Sequence, residues 1–147
     1  MTALALRPSR PEDAAFMLRL HQLGGQPQVA AMGQHGSTHT MQTKCRLDAA
    51  DPLSRVVQVD GLDVGCFRMH EAGDGVWLDM LFLLPAWQRR GLGRALVQRV
   101  KDRAGTLGLP ARLFVARGSP AIGFYEHLGF VVYGEHDALT LAMQWSA

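Results

Sequence analysis

Apolar and polar positions along this 147-residue chain follow two rhythms, one of period two and one of a helical turn. "ALALR" near the start alternates like a short strand. "RPEDAAFMLRLHQL" follows, with Phe16, Leu18, Leu20 and Leu23 behind Pro11. Ser9 before it and Glu12 three residues on read as a capping box, so a helix is predicted there. Residues 24–51 keep neither rhythm and are predicted as a helix with an irregular continuation. "SRVVQVDGLDVGCFRMHE" is two β-rich runs about an Asp60-Gly61 turn, a predicted hairpin.

"VWLDMLFLL" is apolar on both faces except at Asp79, which predicts a central strand ended by Pro85. Leu92, Ala95, Leu96, Val100, Ala104 and Leu107 then fall on one helical face, with Arg94, Gln98, Lys101 and Asp102 largely opposite. "GLPARLFVA" predicts a turn and a strand. "SPAIGFYEHL" predicts a short helix capped by Ser119 with Pro120 at its first position. "GFVVYGEHDALTLAMQW" predicts a closing hairpin. No repeat or linker interrupts these elements. The expectation is one α/β domain over residues 1–147, with a mixed central sheet flanked by helices.

Composition narrows the function. Apolar residues make up 48% and charged residues 19%, the balance of a folded globular domain. A formal charge of +2 argues against nucleic acid as partner; Arg89, Arg90, Arg94, Arg99, Lys101 and Arg103 suit a phosphate-rich small molecule better. Cys45 and Cys66 are too few for a disulfide framework. His35 and His39 with Cys45 lack a fourth ligand at sensible spacing, so no metal is assigned. The N-terminus does not read as a signal peptide and no stretch is long enough to span a membrane, so a cytoplasmic protein without a membrane partner is expected.

The chemistry begins at "PAWQRRGLGRALVQRV", which places Gly91 and Gly93 where a helix starts. Free backbone N–H groups and the helix dipole at such a site favour an anion. A phosphate loop of the Gly-Lys-Ser/Thr kind is absent. A dinucleotide fingerprint fails because Leu96 stands where its third glycine belongs. The remaining pattern, Gln-x-x-Gly-x-Gly at Gln88, Gly91 and Gly93, resembles the pyrophosphate loop of the GNAT family of N-acetyltransferases. "SPAIGFYEHLGFVVYGE", about thirty residues later, looks like that family's second signature. The order of elements is similar too, so the resemblance covers nearly the whole chain. One departure is the turn Gly118-Ser119-Pro120, where family members often carry asparagine.

The resemblance implies acetyl-CoA as acyl donor and direct transfer to a primary amine of a small molecule or a protein. It implies loop contacts from Gln88, Arg89, Arg90, Gly91, Leu92, Gly93 and Arg94, with Ser119 near the pantetheine arm. A backbone N–H near Phe82 or Leu83 would polarise the carbonyl. Tyr125 stands at the family's tyrosine, the acid for the leaving thiolate; the other reading is a core aromatic. Asp79 is either a base facing the acceptor or the partner of a neighbouring basic residue, with Glu71 and His70 as secondary candidates. The resemblance further implies that the two central strands splay, ending near Leu84 and beginning near Arg112, with the acceptor entering over residues 24–51. A CoA-binding or sensing domain without catalysis is the alternative, a nucleotide-dependent transferase a third class, and a homodimer is left open.

Overall fold

The computed structural model describes residues 3–23 and 38–147. In chain order the elements are β1 (Leu4–Pro8), α1 (Ala14–Gln22), α2 (Thr38–Ala50), β2 (Arg55–Val59), β3 (Leu62–Ala72) and β4 (Gly75–Leu83). They continue with α3 (Leu92–Leu107), β5 (Ala111–Ala116), α4 (Ala121–His127), β6 (Val131–Asp137) and β7 (Thr140–Trp145). The strands form one sheet in the order β1-β2-β3-β4-β5-β7-β6, so β4 is central, as its two apolar faces require. β4 and β5 run parallel and every other neighbouring pair is antiparallel.

The β2–β3 turn takes positive φ at both central residues, Asp60 at 52° and Gly61 at 82°, the hairpin geometry that an Asp-Gly pair favours. The start of α1 departs from expectation. Asp13 rather than Glu12 accepts the Arg10 backbone N–H, at 2.8 Å, and the preceding 3-10 turn spans Pro11–Asp13. Ser9 donates its hydroxyl to the Ala49 carbonyl at 2.9 Å, tying the end of α2 to the first strand instead of capping α1.

Two cores sandwich the sheet. On one face α3 and α4 bury Leu96, Val97, Val100, Ala104, Ala121 and Tyr125 against Val76, Leu78, Leu81, Leu83 and Leu113. On the other, α1 and α2 bury Met17, Leu20, Cys45 and Ala49 against Cys66, Met80 and Phe82. Each fully buried Leu or Met contributes about 1.5–3 kcal/mol, so these faces fix the helices firmly. Val97, not the expected Ala95 or Leu107, completes the inward face of α3; Leu107 is 39% exposed.

Residues 38–50 form a regular helix within the stretch expected to be a helix with an irregular continuation. Met41, Cys45 and Ala49 recur every four residues on its inner face, but they are small or soft, while Leu47 points outward at 68% exposure. Polar side chains therefore hide the period. The rest of the expected acceptor segment, residues 24–37, lies outside the described residues, as do His35 and the side chain of His39.

One irregularity in β4 matters most for the site. Met69 pairs with Leu78 but Arg68 pairs with Met80, which leaves Asp79 as the extra residue of a β-bulge. The bulge flips the strand's facing: Val76 and Leu78 share a core with Leu81 and Leu83, while Met80 and Phe82 join the opposite core. The pairing of β4 with β5 stops at the same place. It runs from Val76 with Ala111 to Leu78 with Leu113 and no further, although β4 continues to Leu83 and β5 to Ala116. The two central strands thus part, as the sequence resemblance implied.

Candidate active site

Below the parting lies an open cavity of about 310 Å³. Leu83 contributes the end of β4, and Gln88, Arg89, Gly91, Gly93 and Arg94 contribute the loop and first turn of α3. Pro120, Ala121 and Phe124 close it from the α4 side. A turn at Pro85–Trp87 directs the chain out of β4, and Gln88 then folds back: its Nε2 donates to the Leu83 carbonyl at 3.0 Å. Gly91 is the residue before α3 and has φ 84°, a conformation costing a side-chain-bearing residue about 1–2 kcal/mol. A Cβ there would meet no protein atom within 4 Å. Backbone conformation, rather than lack of room in the protein, is what requires glycine at 91.

No side chain caps α3. Its first backbone N–H groups therefore remain available to an anion at the cavity's rim, next to Arg89 and Arg94. Arg90 turns away and lies 4.9 Å over the Trp87 ring. Leu92 is buried in the core, so only its backbone can serve a ligand. Ser119 Oγ accepts from the Ala121 N–H at 3.1 Å, next to the lining residue Pro120, which stands at the N-cap of α4 where Ser119 was expected. The chemistry of this donor set fits a pyrophosphate followed by an uncharged arm: backbone amides and guanidiniums at one end, Leu83, Ala121 and Phe124 at the other.

The parted end of β4 has an unequal pair of backbone donors. The Leu84 N–H bonds to the Val64 carbonyl on β3 at 2.8 Å. Alternation along the strand then turns the Phe82 N–H toward β3 and the Leu83 N–H toward the β5 side. Phe82 itself is buried in the opposite core, against the His21 ring at 4.3 Å.

Tyr125 is fully buried on α4, edge-on to Phe124 at 5.0 Å and Phe130 at 5.8 Å. Its hydroxyl has no hydrogen-bond partner, and burial pushes its pKa up. A buried hydroxyl without a partner costs about 1–3 kcal/mol. Lys101 on α3 donates to the Leu128 carbonyl and so ties down the end of α4.

Asp79 projects from the bulge and is one quarter exposed. Its Oδ2 lies 2.5 Å from His70 Nδ1 and 3.9 Å from Arg68 Nε. Burial raises its pKa above the ordinary carboxylate value, against the lowering effect of His70 and Arg68. Arg68 is held by Asp48 at 2.9 Å, and Asp48 by Lys44 at 2.7 Å. Burial alone would raise the Asp48 pKa, but these two cations hold it below the usual range. Glu71 pairs with Arg103 at 2.7 Å. Cys45 is buried, which pushes its thiol up to about 11.

Sequence reasoning thus reached the loop, its glycines and Leu83, which meet at the cavity. It missed Ala121 and Phe124 as lining residues, although their i, i+3 spacing on the helix of the second motif carried a signal. Among the described residues no helix is long and apolar enough to cross a membrane.

Solved structures of similar fold include the PaiA N-acetyltransferase of Thermoplasma acidophilum in complex with coenzyme A. It shares 16% identity over 99% of each chain, with a TM-score of 0.72. An acetyltransferase from Thermus thermophilus shares 21% identity over 99% of this chain and 97% of its own, TM-score 0.72. The ribosomal-protein-S18-alanine N-acetyltransferase of Escherichia coli shares 20% over 99% and 94%, TM-score 0.64. At these identities the likeness concerns the fold. No curated protein matches the sequence. The description of an acetyltransferase (GNAT) domain matches residues 53–132, more than half of the chain, and the protein is therefore a member of the GNAT acetyltransferase family.

Proposed function

We propose that this protein is an N-acetyltransferase acting as one domain, moving an acetyl group from acetyl-CoA to a primary amine in a ternary complex. The observation that carries the reading is the cavity where β4 and β5 part, lined by the uncapped start of α3 on one side and by α4 on the other. The similar PaiA protein was crystallised with coenzyme A, which supports the same donor here. Bound there, acetyl-CoA supplies an activated thioester.

The chain's own residues then have distinct tasks. The amides at Leu92 and Gly93, with Arg89 and Arg94, bind the pyrophosphate. Gln88 keeps the loop folded onto the strand end. The Leu83 N–H, turned toward the parting, donates to the carbonyl oxygen where negative charge develops. Tyr125 gives its proton to the departing sulfur. On the opposite face of the sheet, the negative Asp79 serves removal of the amine's proton. The acceptor is a small molecule or a protein amine; the similar S18-alanine enzyme acts on a ribosomal protein.

The sealed Tyr125 hydroxyl favours a second reading, a domain that binds CoA without transfer. Thermal unfolding with acetyl-CoA, CoA, ATP and NAD tests the donor assignment. Both CoA compounds should raise the melting temperature and the nucleotides should not, since a ligand bound only by the folded state stabilises it by mass action. Stabilisation by ATP or NAD in place of acetyl-CoA would reject it.

A further inference from the structure

The contact between His70 and Asp79 joins two adjacent strands at the point where the central pair separates. Asp79 is the extra residue of the β4 bulge, and the last β4–β5 partner is the residue before it, Leu78. His70 comes from β3, where it pairs with Trp77, and its ring lies nearly parallel to the indole at 8° and 6.4 Å. We propose that His70 Nε2 takes the proton from the acceptor amine, and that Asp79 is a positioning residue that orients the imidazole and balances its charge. This rests on the acetyl-transfer reading above and names the base within it.

A carboxylate can only accept, so the 2.5 Å contact places the ring proton on Nδ1 and leaves Nε2 with a free lone pair. The His70 side chain is 40% exposed and Asp79 25%, so an amine arriving from solvent meets the ring more readily than the carboxylate.

The surrounding charges leave this pair intact. Arg68 approaches Asp79 from β3 but is committed to Asp48 at 2.9 Å, to Ser54 at 3.2 Å and toward Asp51 at 3.8 Å. Lys44 on α2 is held by Asp48. Glu71, next to His70 on β3, is taken by Arg103 of α3. Arg55 of β2 lines a cavity with His70 and Glu71 but donates to the Pro52 and Ser54 carbonyls.

The step balances. The amine nitrogen gives its lone pair to the acetyl carbon and its proton to His70 Nε2. The carbon–sulfur bond breaks with its electrons on sulfur, which receives the Tyr125 proton. Solvent then restores both side chains.

The test combines NMR of the His70 ring nitrogens in the free protein, which reads the nitrogen that carries the proton, with pH–rate profiles of wild type, H70Q and D79N. Asp79→Asn should weaken the preference for the Nδ1-protonated ring, because an amide can donate to Nδ1 where a carboxylate can only accept. Turnover should fall with it, and the rising limb of the rate profile should weaken. His70→Gln should lose that limb and about 10²-fold in turnover, with acetyl-CoA affinity unchanged. Turnover within twofold of wild type in H70Q, with the limb kept, would overturn the assignment of His70. So would a His70 tautomer unmoved by D79N. Wild type that acetylates no amine would instead count against the acetyl-transfer reading.

Discussion

The Gln88 side chain holds the Leu83 carbonyl at 3.0 Å, so the loop that follows β4 is fastened to the strand from which it departs. That bond ties the amides proposed to hold the pyrophosphate to the backbone proposed to polarise the thioester. Gln88→Leu removes it while keeping bulk. One uncharged hydrogen bond contributes about 1 kcal/mol, so a drop in melting temperature of about 3 °C is expected. Acetyl-CoA affinity measured by calorimetry should fall about fivefold or more. Unchanged affinity would detach Gln88 from the site.

Gly91→Ala tests the loop from the backbone side. The new Cβ meets no protein atom, so the fold should survive, at a cost of about 1–2 kcal/mol for holding alanine at φ 84°. Any relief of that strain re-aims the amides at the start of α3. Denaturant unfolding and calorimetry together should show a modest loss of stability with a loss of CoA affinity of about tenfold.

Tyr125→Phe separates chemistry from packing. The hydroxyl has no partner in the free protein, so its removal breaks no bond and should leave stability equal or about 1 kcal/mol higher. Turnover should nevertheless fall by about 10²-fold or more, with acetyl-CoA affinity held. A destabilised variant with full activity would make Tyr125 a core aromatic only.

These sites differ in how plainly the sequence displays them. The glycine loop is legible because positive φ at Gly91 restricts which residue can stand there. The central position of β4 is legible because both its faces are apolar. The bulge at Asp79 is not, because a strand apolar on both sides gives no alternation from which a shifted register could be seen. Asp79 nonetheless stood out in the sequence as the lone charge of its strand. Its partner His70 was only a secondary candidate, since pairing across strands depends on register. α2 was illegible for a different reason: its buried Asp48 is made tolerable by Lys44 and by Arg68 from a distant strand.

Acid should weaken the fold in two windows. Burial pushes the His21 pKa down to about 4, so the folded state binds fewer protons than the unfolded chain, whose histidine titrates near about 6.5. Stability should therefore decline as pH falls from about 6.5 toward 4, and His21→Phe, which can keep the contact with Phe82, should remove that decline. Asp48 is depressed instead, so its contribution is present above about pH 4 and lost as pH falls through its folded value. Asp48→Asn should cost about 2 kcal/mol at pH 7, less than a fully buried pair because Lys44 is 25% exposed. Chemical denaturation from pH 7 to pH 3 reads both effects.

The central claim is that the cavity where β4 and β5 part performs transfer and not binding alone. Incubation of the protein with acetyl-CoA and a panel of small amines and N-terminal peptides, with free thiol and acetylated product quantified together, tests it most directly. The expected result is equal amounts of CoA thiol and N-acetylated amine for at least one acceptor, both falling about 10²-fold in Tyr125→Phe. Acetyl-CoA binding with no acetylated amine from any member of the panel would contradict it.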